Sequence, residues 1–310
     1  MNLFRLLKSF DTRKAVVFGM GGGGDIVATV PTANLMREFG FEVLHGTIVW
    51  DRYIIDPEPG PRAIEDLENV EIVNDTIAIA SEKTRIGEII PTVARAGRCL
   101  GKVVALDITK GPKRLAEGLK AFMDENNIAI AVGIDSGGDV LASGFESGVR
   151  SPLADAISLA TLSLIENSFI GFFGFGSDGE LRIEELLMKV SSLIKENMFL
   201  GSVSMSDEDY REMMELTKNV VTEASSIPLR AYEGELGVLR VRAERSVPVS
   251  PLSIMTFYFK TEGVFKMNKL AKTVLDVESI DVARKRLNEM GIFTEMDFEY
   301  LVKNKNIPWD

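Results

Sequence analysis

The sequence predicts an α/β protein with a Rossmann-like, doubly wound, mostly parallel sheet and an α+β C-terminal extension. Two patterns carry that expectation. Short, continuously apolar runs (AVVF, TIAIA, VVAL, IAIAVGI) read as strands buried on both faces, as in parallel sheets. Longer runs with apolar residues at helical spacing separate most of them, which is the rhythm of crossover units.

The opening MNLFRLLKSFDTRK is amphipathic and lacks a long apolar core, so a packed N-terminal helix is expected and no signal peptide. Ala15 to Phe18 is the first strand and runs into a glycine cluster. Leu35, Met36 and Phe39 then mark a helix over Thr32 to Phe39. Phe41 to Val49 and Thr76 to Ala80 read as strands. Ile86 to Leu100 reads as a helix with Pro91 in its first turns, and Lys102 to Leu106 as a buried strand. Gly111-Pro112 opens a helix with proline at its first position and Leu115, Leu119, Phe122 and Met123 on one face. Ile128 to Ile134 is a strand, Ser151-Pro152 opens a nearly all-apolar helix over Leu153 to Ile165, Phe169 to Phe175 is a strand, and Glu180 to Asn197 a helix. Beyond Phe199 the rhythm changes. Ser206 to Asp209 is a capping box for a helix running through Ala224. Strands follow at Val238 to Val241 and Ile254 to Phe259, then a helix over Ser279 to Met290 stopping at Gly291, and a last helix capped by Thr294 to Asp297. The expected division is residues 1–199 as ligand-binding core and 200–310 as an extension packed on it.

Composition narrows the function classes. The chain has 310 residues, 45% of them hydrophobic and 26% charged, ordinary globular usage. The net charge of -11 argues against nucleic-acid or anionic-membrane partners and leaves small molecules, with a homo-oligomer as a further option. One cysteine and one histidine leave no disulfide, no His-rich metal cage and no choice of base for a Ser-His-Asp triad. His45 reads as structural or solvated, Cys99 as a small core residue, and the methionines from Met188 to Met214 as core filling. Absence of glutamine and abundance of Glu and Lys suit a heat-adapted protein. No segment reads as membrane-spanning, so a cytoplasmic location is expected.

In open parallel sheets ligands bind beyond the carboxyl ends of strands, where strand order reverses. Three strand ends carry unusual residues. The first enters Gly19 to Asp25, in which Gly21, Gly22, Gly23 and Gly24 let backbone amides approach an anion ahead of a helix. Gly19, Gly21 and Gly24 also spell G-x-G-x-x-G, with Asp51 where a dinucleotide site keeps its ribose-binding acid. The strand at Lys102 to Leu106 ends at Asp107, and that at Ile128 to Ile134 ends in Asp135, Ser136, Gly137, Gly138 and Asp139. If order follows 3-2-1-4-5, the first strand neighbours the fourth and the fourth the fifth, and Asp25, Asp107, Asp135 and Asp139 converge. Facing carboxylates repel unless they protonate or share a cation, and oxygen-rich sites suit Mg²⁺ or Mn²⁺. The alternative is that each aspartate caps a helix. Arg52 and Arg62 flank the proline-stiffened segment after the second strand as anion clamps, with Lys110 and Arg150 as lesser candidates.

The set GGGGD, WDRYIIDPEPGPR, GIDSGGDVLASG and GIFTEMDFE resembles an uncharacterised, mainly archaeal family of domains of unknown function over most of the chain, which implies no reaction. GGD after a strand is similar to nucleotide loops of phosphofructokinase-like and diacylglycerol-kinase-like enzymes, although Ile26 and Val140 follow where those loops continue with Gly-Ser or Gly-Thr. GIDSGGDVLASG resembles the glycine loop of D-glutamate cyclases, without their Gly-Asn-Glu. The expected function is an enzyme acting on a small phosphorylated or carboxylated metabolite or a nucleotide, by Mg-dependent phosphoryl transfer or hydrolysis. Asp25, Asp107 and Asp135 are the catalytic candidates, and those three with Asp139 the metal ligands. An NAD- or FAD-dependent oxidoreductase and a non-catalytic nucleotide sensor or assembly protein are the alternatives.

Overall fold

A computed structural model describes residues 2–240 and 245–305. In chain order the elements are α1 (Leu3–Lys8), β1 (Lys14–Gly19), α2 (Thr29–Glu38), β2 (Glu42–Ile48), β3 (Glu71–Ile72), β4 (Ile77–Ala80), α3 (Thr92–Leu100), β5 (Val103–Leu106), α4 (Gly111–Glu125), β6 (Ile130–Ser136), α5 (Pro152–Ser163) and β7 (Ser168–Phe173). There follow α6 (Ile183–Lys195), β8 (Phe199–Ser204), α7 (Asp207–Thr217), α8 (Ser226–Tyr232), β9 (Gly237–Arg240), β10 (Ser246–Val249), β11 (Met255–Lys260), α9 (Thr261–Met267), α10 (Lys269–Val274), α11 (Ile280–Glu289) and α12 (Glu295–Lys305). Val241, the end of one expected strand, lies outside the described residues.

Among the described residues nine strands form one sheet in the order β3-β4-β5-β2-β1-β6-β7-β11-β8. The middle five, β5-β2-β1-β6-β7, are parallel. The outer pairings β3–β4, β4–β5, β7–β11 and β11–β8 are antiparallel. Successive side chains of a strand face opposite ways, and β1 shows it: Val16 and Phe18 enter one core with α4 and α5, while Ala15 and Val17 enter another with α1, α2 and α3. Helices on both faces of a mostly parallel sheet make the fold Rossmann-like. Residues from Phe199 onward supply two strands of that sheet, β8 and β11, and the helices α9 to α12 on the α5 side.

One misread strand changes the topology. Thr76 to Ala80 reads in sequence as a third parallel strand, but β4 lies antiparallel to β5. The expected helix over Ile86 to Leu100 begins only at Thr92, because Pro91 sits in extended conformation at its N-cap (φ -70°, ψ 162°). Residues 81–91 therefore form no helix. An extended chain gains at most about 3.3–3.6 Å per residue, so this stretch is long enough to return past the height of a four-residue strand before α3 descends. With β4 removed from the count, the parallel strands do follow 3-2-1-4-5, but the third is β5 and the fourth is β6. Order reverses between β1 and β6, and the Gly19–Asp25 and Asp135–Asp139 segments are neighbours across that crevice, whereas Asp107 follows β5 beyond β2.

The extension also departs from its pattern. The capping box at Ser206 and Asp209 is present, but α7 ends at Thr217 and residues 218–225 cross to the glycine loop, where Val221 O would stand 3.2 Å from a Cβ on Gly24. No helix of the described residues is long and apolar enough to cross a membrane.

Helix α4 gives a test of the packing. An exposed helical glycine gains roughly 1 kcal/mol on replacement by alanine, but a Cβ on Gly118 would stand 2.0 Å from Thr76 Oγ1 and 2.7 Å from Asn74 Oδ1. Asn74 also accepts the amides of Thr76 and Ile77 and donates to Gly118 O. Gly118→Ala is expected to destabilise by about 1–3 kcal/mol, read as a lowered midpoint in urea; an unchanged or raised midpoint would contradict this packing.

Candidate functional site

The crevice at the order reversal opens into a cavity of about 580 Å³. Its floor is built from five strand-end or helix-start segments. The loop after β1 supplies Gly21 to Gly24 and then Asp25, at the start of a 3-10 turn over Gly23–Ala28 that leads into α2. Ile26, Val27 and Ala28 are fully buried, which anchors that turn and fixes Asp25 over the crevice. The end of β6 supplies Asp135 and Ser136, and the 3-10 turn at Asp139–Leu141 supplies Asp139. The first turns of α5 and α12 bring Asp155 and Glu295, and the segment after β7 brings Asp178 and Glu180.

Asp25, Asp135 and Asp155 each place one carboxylate oxygen within 4.8 Å of the others. Ligand oxygens about 2.1 Å from an octahedral cation are at most about 4.2 Å apart, so a small closing movement would seat one ion. The hydrogen bonding around the three is incomplete. Asp25 Oδ2 accepts the Gly21 amide at 2.9 Å and Asp135 Oδ2 the Val140 amide at 3.3 Å, but buried Asp155 Oδ1 finds no hydrogen-bond donor among the described residues. Nor does Asp178 Oδ2; the side chain of Asp178 faces that of Asp139, which also faces Asp135.

Electrostatics follow from this crowding. Burial, then the neighbouring Asp135, pushes Asp25 well above the ordinary carboxylate range. Burial with Asp135 and Asp25 does the same to Asp155, and burial with Asp155 and Asp135 to Asp139. Burial and the charge of Glu180 raise Asp178 to about 8. Asp135, also raised by burial but eased by hydrogen bonds from Asp139, Val140 and Gly138, reaches about 6.

Two further carboxylates hold the start of α5. Glu295 accepts the amides of Leu153 (3.0 Å) and Ala154 (2.8 Å), and Glu180 those of Arg150 (2.6 Å) and Ser151 (3.1 Å). The otherwise unsatisfied amides of a helix N-terminus are thus supplied with partners from outside the helix. Ser151, which the sequence marks as the capping residue, makes no capping bond; its hydroxyl donates to Glu180 and Asp139. Glu295 is itself raised to about 8 by burial, against the pull of those amides.

Positive charge lies on the same wall. Arg52, Arg150 and Arg245 line the cavity. Glu223 lies between two of them, 3.3 Å from Arg52 Nη1 and 3.7 Å from Arg245 Nη2.

Not every sequence candidate arrives here. Gly21, Gly22, Gly23, Gly24, Asp25, Asp51, Arg52, Asp135, Ser136, Asp139 and Arg150 line the cavity. Asp107 does not converge with them: it accepts the amides of Ile64 (3.1 Å) and Thr109 (2.7 Å) beyond β5, a loop-tying role imposed by the strand order. Arg62 grips Asp56 through two hydrogen bonds, one of 2.6 Å, and serves to close its own loop. Lys110 pairs with Glu65. Asp51 edges the cavity, but its carboxylate accepts the Thr92 amide at 2.9 Å and the Thr92 hydroxyl, so it caps α3. Gly137 and Gly138 shape the turn rather than line the cavity: their φ values are +117° and +118°, and a Cβ on Gly137 would stand 2.3 Å from Asp178 Cγ. In the first loop, the Gly21 amide is taken by Asp25 and the Gly23 amide by Trp50 O, leaving a smaller anion cradle than four glycines suggest.

His45 is buried and structural. Arg37 can only donate, so Nε2 accepts from it at 2.9 Å and Nδ1 faces Thr29 Oγ1 at 2.8 Å; burial and Arg37 lower it to about 3. Cys99, expected in the core, is exposed, and Met188 and Met214 are also exposed, because α3, α6 and α7 turn those positions outward. The sequence reading missed Asp155, Asp178, Glu180, Glu223, Arg245 and Glu295. A signal existed for two: Asp155 is a charge in an otherwise apolar helix, and Glu295 follows the helix-capping Thr294.

Fold and site together define a Rossmann-like α/β protein with a carboxylate-rich cavity at the order reversal of its sheet. Residues 16–303 match the family described as protein of unknown function (DUF1152), and the chain belongs to that family. No curated protein and no solved structure matches it.

The raised carboxyls make a signed prediction. A carboxyl ionising near 4 when unfolded and at 6 to 8 when folded (Asp135, Asp178, Glu295) binds more protons folded, so its stabilisation is complete in acid and lost as pH rises through 6 to 8. The metal-free protein should melt at lower temperature at pH 8 than at pH 5. Mg²⁺ or Mn²⁺, by replacing protons, should raise the melting temperature more at pH 8 than at pH 5; equal shifts, or none, would exclude cation binding at these groups.

Proposed function

We propose that this protein is an intracellular divalent-cation-dependent enzyme acting on a small anionic metabolite, by phosphoryl transfer or hydrolysis. The observation that carries the reading is the trio of half-buried Asp25 and buried Asp135 and Asp155 with oxygens inside 4.8 Å, Asp155 Oδ1 lacking a donor among the described residues. An all-oxygen set of this kind suits Mg²⁺ or Mn²⁺. Bound there, such an ion would supply charge neutralisation at a substrate oxygen and would polarise that group.

The chain's own groups divide the remaining work. Arg52 and Arg245 receive the substrate anion in the position Glu223 holds between them, and Arg150 adds charge to the same wall. Of the glycine loop, the exposed Gly22 admits the anion close to backbone. Asp139, in contact with Asp135 and Asp178, holds a proton at its carboxyl beside the reacting group, where a raised carboxyl serves as general acid or base. The dinucleotide alternative has less to support it, because Asp51 is spent on Thr92 and the Asp25 carboxylate lies on the Gly21 amide where a pyrophosphate would have to sit.

Substitutions separate these roles. Asp25→Asn and Asp155→Asn should keep the fold, since each removes a crowded charge, and should weaken Mn²⁺ binding by about a hundredfold or more, measured by calorimetry and paramagnetic resonance, with turnover lost once a substrate is found. Wild-type metal affinity in both variants would end the proposal. Glu223→Gln should tighten phosphate binding by about two- to fivefold by removing a negative charge from beside Arg52 and Arg245, and Arg52→Ala should weaken it; the opposite order would remove Glu223 from the anion site. Tight ligand binding with neither metal dependence nor turnover would support a sensor instead.

A further inference from the structure

The wall of the cavity opposite in character to the carboxylates is aromatic. Phe293 and Phe298 both line it and are 56% and 39% exposed, while Trp50, in the same wall, is 4% exposed. Exposed phenylalanine is common enough singly on a surface, but two on the wall of one concave site, beside a third aromatic ring, form a patch that water covers poorly.

These rings are also held in place. Helix α12 is tied at two points by its own carboxylates, half-buried Glu295 and buried Glu299. Glu295 receives the Leu153 and Ala154 amides, and Glu299 receives Trp50 Nε1 at 3.1 Å and the Gly60 amide at 2.7 Å. Phe293 stands two residues before the first tie and Phe298 one residue before the second. The tie at Glu295 reaches the same turn of α5 that carries Asp155. The aromatic wall is therefore fixed relative to the carboxylate trio by hydrogen bonds between neutral or negative groups within the fold, so a ligand spanning both halves would order little on binding.

Size points the same way. A cavity of about 580 Å³ falls within the range of roughly 300–1,000 Å³ that encloses ligands of drug size, well beyond a phosphate and its cation. Occupying it requires a molecule with an anionic end and a bulky apolar end. Phenylalanine and tryptophan faces favour a planar ring, because offset or edge-to-face contact adds to the gain from area burial alone.

Resting on the proposed cation and anion site, the geometry points to a substrate that joins its anionic group to a planar aromatic ring of nucleobase size, seated against Phe293 and Phe298. This narrows the metabolite to nucleotide-like compounds and excludes sugar phosphates and small carboxylic acids as preferred ligands.

Calorimetric titrations in Mg²⁺ would use three probes on the full chain: the common ribonucleoside 5'-monophosphates, ribose 5-phosphate and hexyl phosphate. At least one nucleotide should bind about tenfold or more tightly than ribose 5-phosphate, and more tightly than hexyl phosphate. In Phe298→Ala and Phe293→Ala that advantage should shrink while ribose 5-phosphate affinity stays unchanged, and Phe298→Tyr should restore it. Melting temperatures near wild type would show that the alanine variants fold. Equal binding of nucleotide and ribose 5-phosphate, an undiminished advantage in both alanine variants, or preference for hexyl phosphate would overturn the aromatic assignment and leave the cation site standing. Failure of every probe to bind with Mg²⁺ would instead overturn the anion-and-cation reading on which it rests.

Discussion

Mutual repulsion among buried carboxylates is the constraint around which this molecule is arranged. Two full charges within 4.8 Å of one another repel by at least about 3.5 kcal/mol at an effective dielectric near 20, and Asp25, Asp135, Asp139, Asp155 and Asp178 all share one cavity. Protons relieve that repulsion at low pH, and a cation can relieve it at higher pH. The backbone relieves part of it permanently: the Gly21, Val140 and Glu180 amides each point at one of these side chains. Among the described residues, Asp155 Oδ1 and Asp178 Oδ2 are left without a hydrogen-bond donor.

Helix α5 shows how the rest of the fold serves that cavity. It is apolar nearly all round and buried from Pro152 to Leu162, so its N-terminus cannot turn to water for partners. Glu180 and Glu295 bring them from after β7 and from α12. In consequence the last helix of the described chain and the middle of the sheet are tied to one turn of α5, and Asp155 projects from that turn. The C-terminal segment thereby becomes a wall of the site: it supplies Glu295, the aromatic side chains and, through Glu299, the hold on Trp50.

Local chemistry in the chain was legible wherever one short segment contains its own explanation. The glycine run ahead of Asp25, the Asp135–Asp139 turn, the Gly111-Pro112 helix start and the capping boxes at Ser206 and Thr294 all stand where their residues imply. Where an explanation needs two distant segments, sequence reading went astray. Asp107 and Asp51 look like Asp25 and Asp135 in their settings, each an acid just past a strand. Nothing near them in sequence says that Ile64 and Thr92 will arrive to occupy their oxygens. The error at β4 has the same origin, since TIAIA has the composition of a parallel strand and only the extended return through residues 81–91 reverses it.

By itself, then, the order of residues determined the class of fold, because strand burial and helix periodicity are local consequences of side-chain polarity. It also determined that two glycine-bordered acids would meet at the sheet's reversal, since that follows from right-handed crossovers once the parallel strands are counted correctly. Tertiary structure alone decided which further carboxylates joined them. Asp155, Asp178 and Glu295 come from segments as much as 270 residues from Asp25 in sequence, and their approach depends on helix packing and on buried amides that must find acceptors. Those are properties of the assembled fold, which no short window of sequence records.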